Sequence, residues 1–174
     1  MRKSVLNRFF LIAICLGIVG CTETKQAVES IKIGESFPDL ALVSLESESR
    51  RLSDYRGKLV LLNIWATWCG PCRKELPSLD SLAKLLGEGK FAVLGLSIDD
   101  DKLLVREYLS DKDIHLPIYF MQEGQLDYAA LGIKVFPYTF VILPDGRLAE
   151  VHAGERVWNT AQSVASLRRL IERG

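Results

Sequence analysis

The chain places two cysteines three apart, Cys69 and Cys72, inside the stretch NIWATWCGPCRKELP that runs from Asn63 to Pro77. Thiolate, not thiol, is the form that attacks disulfides and binds metals. A close pair can therefore exchange disulfides, hold a metal or close a small loop. The apolar run before the pair reads as a buried strand, and the pattern after it reads as a helix that opens at Gly70-Pro71. Cys69 is then expected at a helix N-terminus, where free N–H groups and the macrodipole favour negative charge and activate the thiol at neutral pH. Cys72 falls almost one turn further in, the right reach to attack a mixed disulfide formed on Cys69. Pro71 suits a first turn, because the N–H it lacks has no partner there. Gly70 lets a substrate backbone come close.

The rival chemistries are less well supplied. Structural zinc takes four ligands, usually from two such pairs or from a pair and two histidines. Past residue 21 the chain offers, apart from the pair, only the thiol or imidazole ligands His115 and His152, at unrelated positions, so no metal or other cofactor is expected. A purely structural disulfide would close too small a loop to stabilise much.

The chain has four cysteines, and the other two, Cys15 and Cys21, belong to an N-terminus with its own pattern. MRKSVLNR is basic, and the 12 residues after it, FFLIAICLGIVG, are apolar. A spanning helix needs roughly 18–20 apolar residues, so residues 1–20 read as an export signal. Ile18-Val19-Gly20-Cys21 resembles the lipobox of bacterial lipoproteins. That resemblance implies cleavage before Cys21 and acylation of its thiol; the alternative is an uncleaved signal anchor. Two or more acyl chains hold a protein stably to a bilayer. Residues 21–31 are polar and read as a lipid-anchored tether. The domain is then expected outside the cytoplasm, facing the periplasm or the cell exterior.

The rest is one ordinary globular domain: 48% of the 174 residues are hydrophobic, enough for a core without staples. Lys plus Arg and Asp plus Glu both number 22, and no basic run exceeds the pairs Arg50-Arg51 and Arg168-Arg169. Removing Arg2, Lys3 and Arg8 with the signal leaves 19 bases against 22 acids. A nucleic-acid partner needs a basic face, so none is expected. The domain is expected to be a monomer.

The elements that must position the pair follow from periodicity. Leu40, Val43 and Leu45 alternate as in a hairpin arm, with Arg51 and Leu52 on the return arm and a turn at residues 54–57. LVLLNIWA (59–66) and FAVLGLSI (91–98) read as strands buried on both faces. Between them a helix carries Leu76, Leu79, Leu82, Ala83 and Leu86 on one stripe and stops at Gly87 or Gly89, with a kink expected at Pro77. Asp99 to Asp101 can cap a helix over 102–110. A short strand at 117–120, a helix at 125–131, strands at 138–143 and 147–153 around Pro144-Asp145-Gly146, and a helix over 156–173 complete the order. Trp65 and Trp158 read as packing residues, the latter against the last helix, and His152 as a surface or edge residue. Trp68 reads as a partly exposed wall of a groove. The fold class expected is α/β, a central mixed sheet with helices on both faces and an N-terminal hairpin.

These residues also carry a family resemblance. WCGPC after an apolar strand resembles thioredoxin, and the wider pattern is similar to the TlpA- and ResA-like membrane-tethered thioredoxins. It includes Ile33-Gly34 to Pro38-Asp39, Leu52 to Gly57, LVLLNIWATWCGPCRKELP, Gly132 to Phe140 with Pro137 before Tyr138, and Asp145-Gly146. The resemblance covers residues 32–174 and implies a thioredoxin-like domain there. It implies a cis-proline at Pro137 that, with Phe136, presents backbone to substrate beside the cysteines. It also marks a departure. Cytoplasmic thioredoxins keep a buried aspartate six residues before the first cysteine, where this chain has Asn63, which cannot titrate. The glutamate matching Glu75 is read in ResA-like proteins as the acid–base group, and Glu75 lies one helical turn after Cys72. The activity implied is extracytoplasmic disulfide reduction. Electrons would come from a membrane thiol donor and pass to cysteine-containing exported proteins, such as apocytochrome c. Peroxiredoxins share the Gly34 to Asp39 opening, but the Pro-x-x-x-Thr-x-x-Cys pattern they need is missing: Thr67 lies two, not three, residues before Cys69. A lipoprotein binding module that uses the pair as a switch is the third reading.

Overall fold

The structure, a computed structural model, describes residues 30–121 and 127–173. The export signal, Cys21 and most of the tether lie outside the described residues. Strands β1 (Ala41–Ser44) and β2 (Ser49–Arg51) form the expected hairpin, followed by a 3-10 helix (Leu52–Tyr55). Then come β3 (Leu59–Trp65), α1 (Gly70–Leu86), β4 (Phe91–Ser97), α2 (Lys102–Asp111) and β5 (Ile118–Met121). β6 (Tyr138–Ile142), β7 (Leu148–Ala153) and α3 (Ala161–Arg173) close the chain. The strands form one sheet in the order β2-β1-β5-β4-β3-β6-β7. β3, β4 and β5 run parallel, and the remaining pairings are antiparallel, so the sheet is mixed as expected.

β3 is central, and every residue of it is buried. Strand side chains alternate between faces, and β3 feeds two cores. Leu59, Leu61 and Trp65 join a cluster with Leu76 and Leu79 of α1, Val105 of α2 and Leu167 of α3. Val60, Leu62 and Ile64 join Phe37, Leu40, Leu52, Leu131 and Ile133 on the other face. Helical cover is therefore uneven. The three α-helices contribute to the first face, and the second is covered by the N-terminal segment, the 3-10 helix and irregular chain. By the same alternation Asn63 falls on the helix-bearing face. The antiparallel β3–β6 register sets it directly opposite Thr139.

α1 is capped by Cys69, has proline at its start and stops at Gly87, whose φ of 72° favours glycine. The helix continues through Pro77, which cannot donate to the carbonyl of Arg73. The Tyr108 hydroxyl of α2 donates to that carbonyl instead, at 3.2 Å.

Two expectations are corrected. α3 starts at Ala161 and not at Arg156, because Thr160 caps it, its Oγ1 accepting the Ser163 N–H at 3.1 Å. The helix expected over 125–131 lies partly outside the described residues, and its described part is a run of turns. There Asp127 Oδ1 accepts the N–H groups of Ala129 and Ala130, at 2.9 and 3.0 Å, in competition with a helical ladder. The cap expected among Asp99 to Asp101 is present: Asp101 caps α2. The end of the tether is seated on that turn: the Ile31 N–H donates to the Ala130 carbonyl at 3.0 Å.

Candidate active site

The site is assembled where β3 turns into α1. Asp99, at the exit of the neighbouring β4, anchors that turn. Its carboxylate accepts the Thr67 N–H at 3.0 Å, the Thr67 hydroxyl at 2.6 Å and the Ser97 hydroxyl at 2.7 Å. The chain thus reaches Trp68 and Cys69 from a fixed point.

Cys69 and Cys72 are joined in a disulfide, with Cα atoms 5.2 Å apart. Cys69 is the helix N-cap, and its Sγ accepts the Cys72 N–H at 3.2 Å. A negative charge on that sulfur would sit against the same donor and the positive end of α1. Cys69 retains 7% exposure and Cys72 none, so the outer sulfur is the one a large disulfide can reach. Pro71 is exposed, and the space beside Gly70 is open: a Cβ there would meet nothing within 4 Å.

Around this opening lies an aromatic rim. Trp68 is 64% exposed, and its ring meets Phe136 edge-on at 6.2 Å; Tyr128 meets Phe136 at 6.0 Å. The Phe136–Pro137 peptide bond is cis, and Pro137 is buried.

Beneath the opening lies a polar floor. Glu75 is only 1% exposed. Its Oε1 accepts the Trp158 indole N–H at 2.6 Å, and its Oε2 accepts Asn63 Nδ2 at 3.0 Å. Asn63 Nδ2 also donates to Thr139 Oγ1 at 2.9 Å. Burial pushes the Glu75 carboxyl up to about 7; hydrogen bonds from Trp158, Asn63 and the Arg156 backbone oppose it, and the nearby Glu155 charge adds to it. An acid that titrates near neutrality, one helical turn from the buried sulfur, can take up and return a proton.

Trp158 therefore does more than pack. It precedes α3, and its own backbone N–H donates to Ser78 Oγ of α1 at 3.1 Å. Its ring is held by the Arg156 guanidinium 4.7 Å above it and by the His152 ring edge-on at 5.0 Å. His152 is on the edge strand β7, one of the two expected placements, but it is half-buried there, and burial lowers its pKa. Among the described residues no group of three or more His, Cys, Asp or Glu side chains is placed to hold a metal. None of their helices is long and apolar enough to cross a membrane.

Known proteins share this architecture. The Redoxin family model matches residues 32–171. A thiol-disulfide oxidoreductase ResA from Bacillus thuringiensis is 30% identical over 90% of this chain and 92% of its own length. Among solved structures, a protein from Chlorobium tepidum carrying the name thiol:disulfide interchange protein DsbE superposes with a TM-score of 0.69. It is 27% identical, over 83% of this chain and 98% of that one. A secreted thiol-disulfide isomerase from Corynebacterium glutamicum gives 0.64 at 27% identity, over 78% and 83% of the two chains. A family model spanning the domain and a near full-length relative, on a sheet of this topology, place the chain in the redoxin family, as a TlpA/ResA-like thiol–disulfide oxidoreductase of thioredoxin fold.

Proposed function

We propose that the protein reduces disulfides of exported proteins from a lipid anchor on Cys21, with its domain facing the periplasm or cell exterior. The observation that carries this reading is the vertical order of the site: a reachable Cys69, an enclosed Cys72 and a buried carboxyl, Glu75, on one helix. In the reduced protein the Cys69 thiolate attacks a substrate disulfide. One sulfur of the substrate leaves as a thiolate, and a Cys69–substrate disulfide remains. The Cys72 thiol gives its proton to Glu75, and its thiolate attacks Cys69. The Cys69–Cys72 disulfide forms, and the second substrate sulfur leaves with the proton from Glu75. Two electrons have then passed to the substrate, and a membrane thiol donor restores the dithiol.

Trp68, Gly70, Pro71, Phe136 and Pro137 form the surface on which the substrate segment is laid. The Gly-Pro pair between the cysteines is that of thioredoxin, a reductant at about −270 mV, which supports the reducing direction. The basic-apolar leader and the Ile18-Val19-Gly20-Cys21 sequence support export and anchoring. Cysteines of apocytochrome c are the substrate the ResA resemblance suggests.

The test is trapping. Cys72→Ser cannot resolve the mixed disulfide, so in the native envelope it should hold exported cysteine proteins on Cys69, released by dithiothreitol. Cys69→Ser should trap nothing and fail to reduce insulin. Equal trapping by both variants, or none by either, would overturn the reading.

A further inference from the structure

Asn63 lies in the middle of β3 without solvent access, facing α1. Its Nδ2 donates twice within the polar floor, to Glu75 Oε2 and to Thr139 Oγ1. Its Oδ1 is equally enclosed and has no hydrogen-bond partner among the described residues. Buried acceptors are normally paired, and turning the amide by 180° would exchange its nitrogen and oxygen. The group opposite fixes the present orientation. An ionised carboxylate offers only lone pairs, so whatever faces it must donate. Thr139 imposes nothing, since a hydroxyl donates or accepts.

Protonation of Glu75 reverses the requirement. A carboxylic acid O–H needs an acceptor. Trp158 Nε1, against Oε1, can only donate. Within this network the unpaired acceptor is Asn63 Oδ1.

We propose that Asn63 is a protonation-coupled amide switch, presenting Nδ2 to the ionised Glu75 and Oδ1 to the protonated one, while the Thr139 hydroxyl reverses from acceptor to donor. The inference rests on the reading of Glu75 as proton carrier. It adds the positioning residue that lets one carboxyl be held in both of its states. An asparagine does this without a second charge, so the floor binds one proton and not two. The other groups that face Glu75 do not reverse in this way. Cys72 on α1 is in the disulfide. Glu155 and Arg156, between β7 and α3, act through charge and backbone, with Glu155 3.9 Å from Lys74. His152 of β7 meets the network only through the Trp158 ring.

The experiment is an NMR titration of the oxidised full chain between pH 5 and 9. It follows the Glu75 carboxyl carbon together with the side-chain amide nitrogen and carbon of Asn63. The two Asn63 signals should move with the same midpoint as Glu75, and Thr139→Val should shrink their amplitude while leaving Glu75 titrating. A merely structural asparagine would also shift with its titrating partner but would keep its amide protons beside Thr139, so contacts between those protons and the Thr139 methyl that stay at full strength across a complete Glu75 titration would overturn the switch. Asn63→Asp supplies a second readout: with two carboxyls in contact, one Glu75 step should become two macroscopic steps, and a single unshifted step would also overturn it. Failure of the parent reading looks different. Full disulfide exchange by Glu75→Gln would remove the proton-carrier role, while loss of those contacts on titrating the native chain would still establish the switch.

Discussion

The rim and the floor of this site belong to the same pair of cysteines, yet they are built on opposite terms. The rim is aromatic and exposed: Trp68, Phe136 and Tyr128 meet edge-on at about 6 Å, and no polar partner fixes them to one another. The floor is polar and sealed: Glu75, Asn63, Thr139 and Trp158 each face a named donor or acceptor. Apolar contact is non-directional and scales with area, so a rim can lose a ring by degrees. A buried polar network ties each member to particular partners, and removing a member leaves another unsatisfied. On the proposed reading, recognition and proton handling fall on separate elements, and substitutions should separate them in the same way.

The largest effect should come from Glu75→Gln, which leaves the rim untouched and removes the only acid of the floor. Reduction of insulin at pH 7 should fall on the order of 10²-fold, the scale of a general acid–base contribution, while trapping on Cys69 persists. The same variant should expose what the carboxyl costs. The Glu75 carboxyl goes from an ordinary 4.5 to about 7 on folding. Between those values the native state binds the extra proton, so native stability falls as pH rises from 4.5 to 7 and is flat above. Urea denaturation should therefore show Glu75→Gln gaining on the native chain between pH 5 and pH 8, by up to about 3 kcal/mol. A variant that keeps full turnover, or gains nothing at pH 8, would break the contrast between floor and rim.

What the sequence makes legible here is mostly local. The alternation in LVLLNIWA, the Cys-x-x-Cys at a helix start and the three-residue step from Cys72 to Glu75 are each read within one turn or one strand, and each stands in the structure. An asparagine inside an apolar run signals on its own that a buried partner exists. Its identity is not legible, because Thr139 lies 76 residues away in sequence and is brought opposite only by the β3–β6 register. Trp158 is hidden for the same reason. Its local pattern says packing, and its bond to Glu75 spans 83 residues. Asp99 fails differently. Three consecutive aspartates are equivalent as caps, and only the adjacency of β4 to the β3–α1 turn gives one of them to Thr67 and another to α2. The short helix expected near 125–131 shows local chemistry competing with itself, since Asp127 closes its own turn.

A middle-sized effect should sharpen the comparison from inside the floor. Trp158→Phe keeps most of the ring beside Arg156 and deletes the indole N–H. At pH 8 the ionised Glu75 then loses a short donor, and stability should drop by about 1–3 kcal/mol. At pH 5 the acid is protonated and the loss should be smaller. The Glu75 midpoint should rise, since hydrogen bonding from Trp158 lowers it in the native chain. An equal loss at both pH values would mean that Trp158 contributes packing alone, and the floor would be less specific than its geometry.

The smallest effects belong to the rim. Trp68→Ala removes the most exposed ring of the three, and the domain core does not depend on it. For a protein substrate, KM should rise roughly three- to tenfold with kcat unchanged, which corresponds to about 0.7–1.4 kcal/mol of lost contact, close to the worth of one aromatic pairing. Glutathione disulfide or another small disulfide should be reduced at the native rate, because it needs Cys69 and the floor but little of the surface. Phe136→Ala should act in the same direction. Since Trp68 and Phe136 touch, the double variant should lose less than the two single losses added together. A fall in kcat, or an equal loss with the small disulfide, would place Trp68 in the chemistry of Cys69. Rim and floor would then be one unit, and the reason for treating them as separable would be gone.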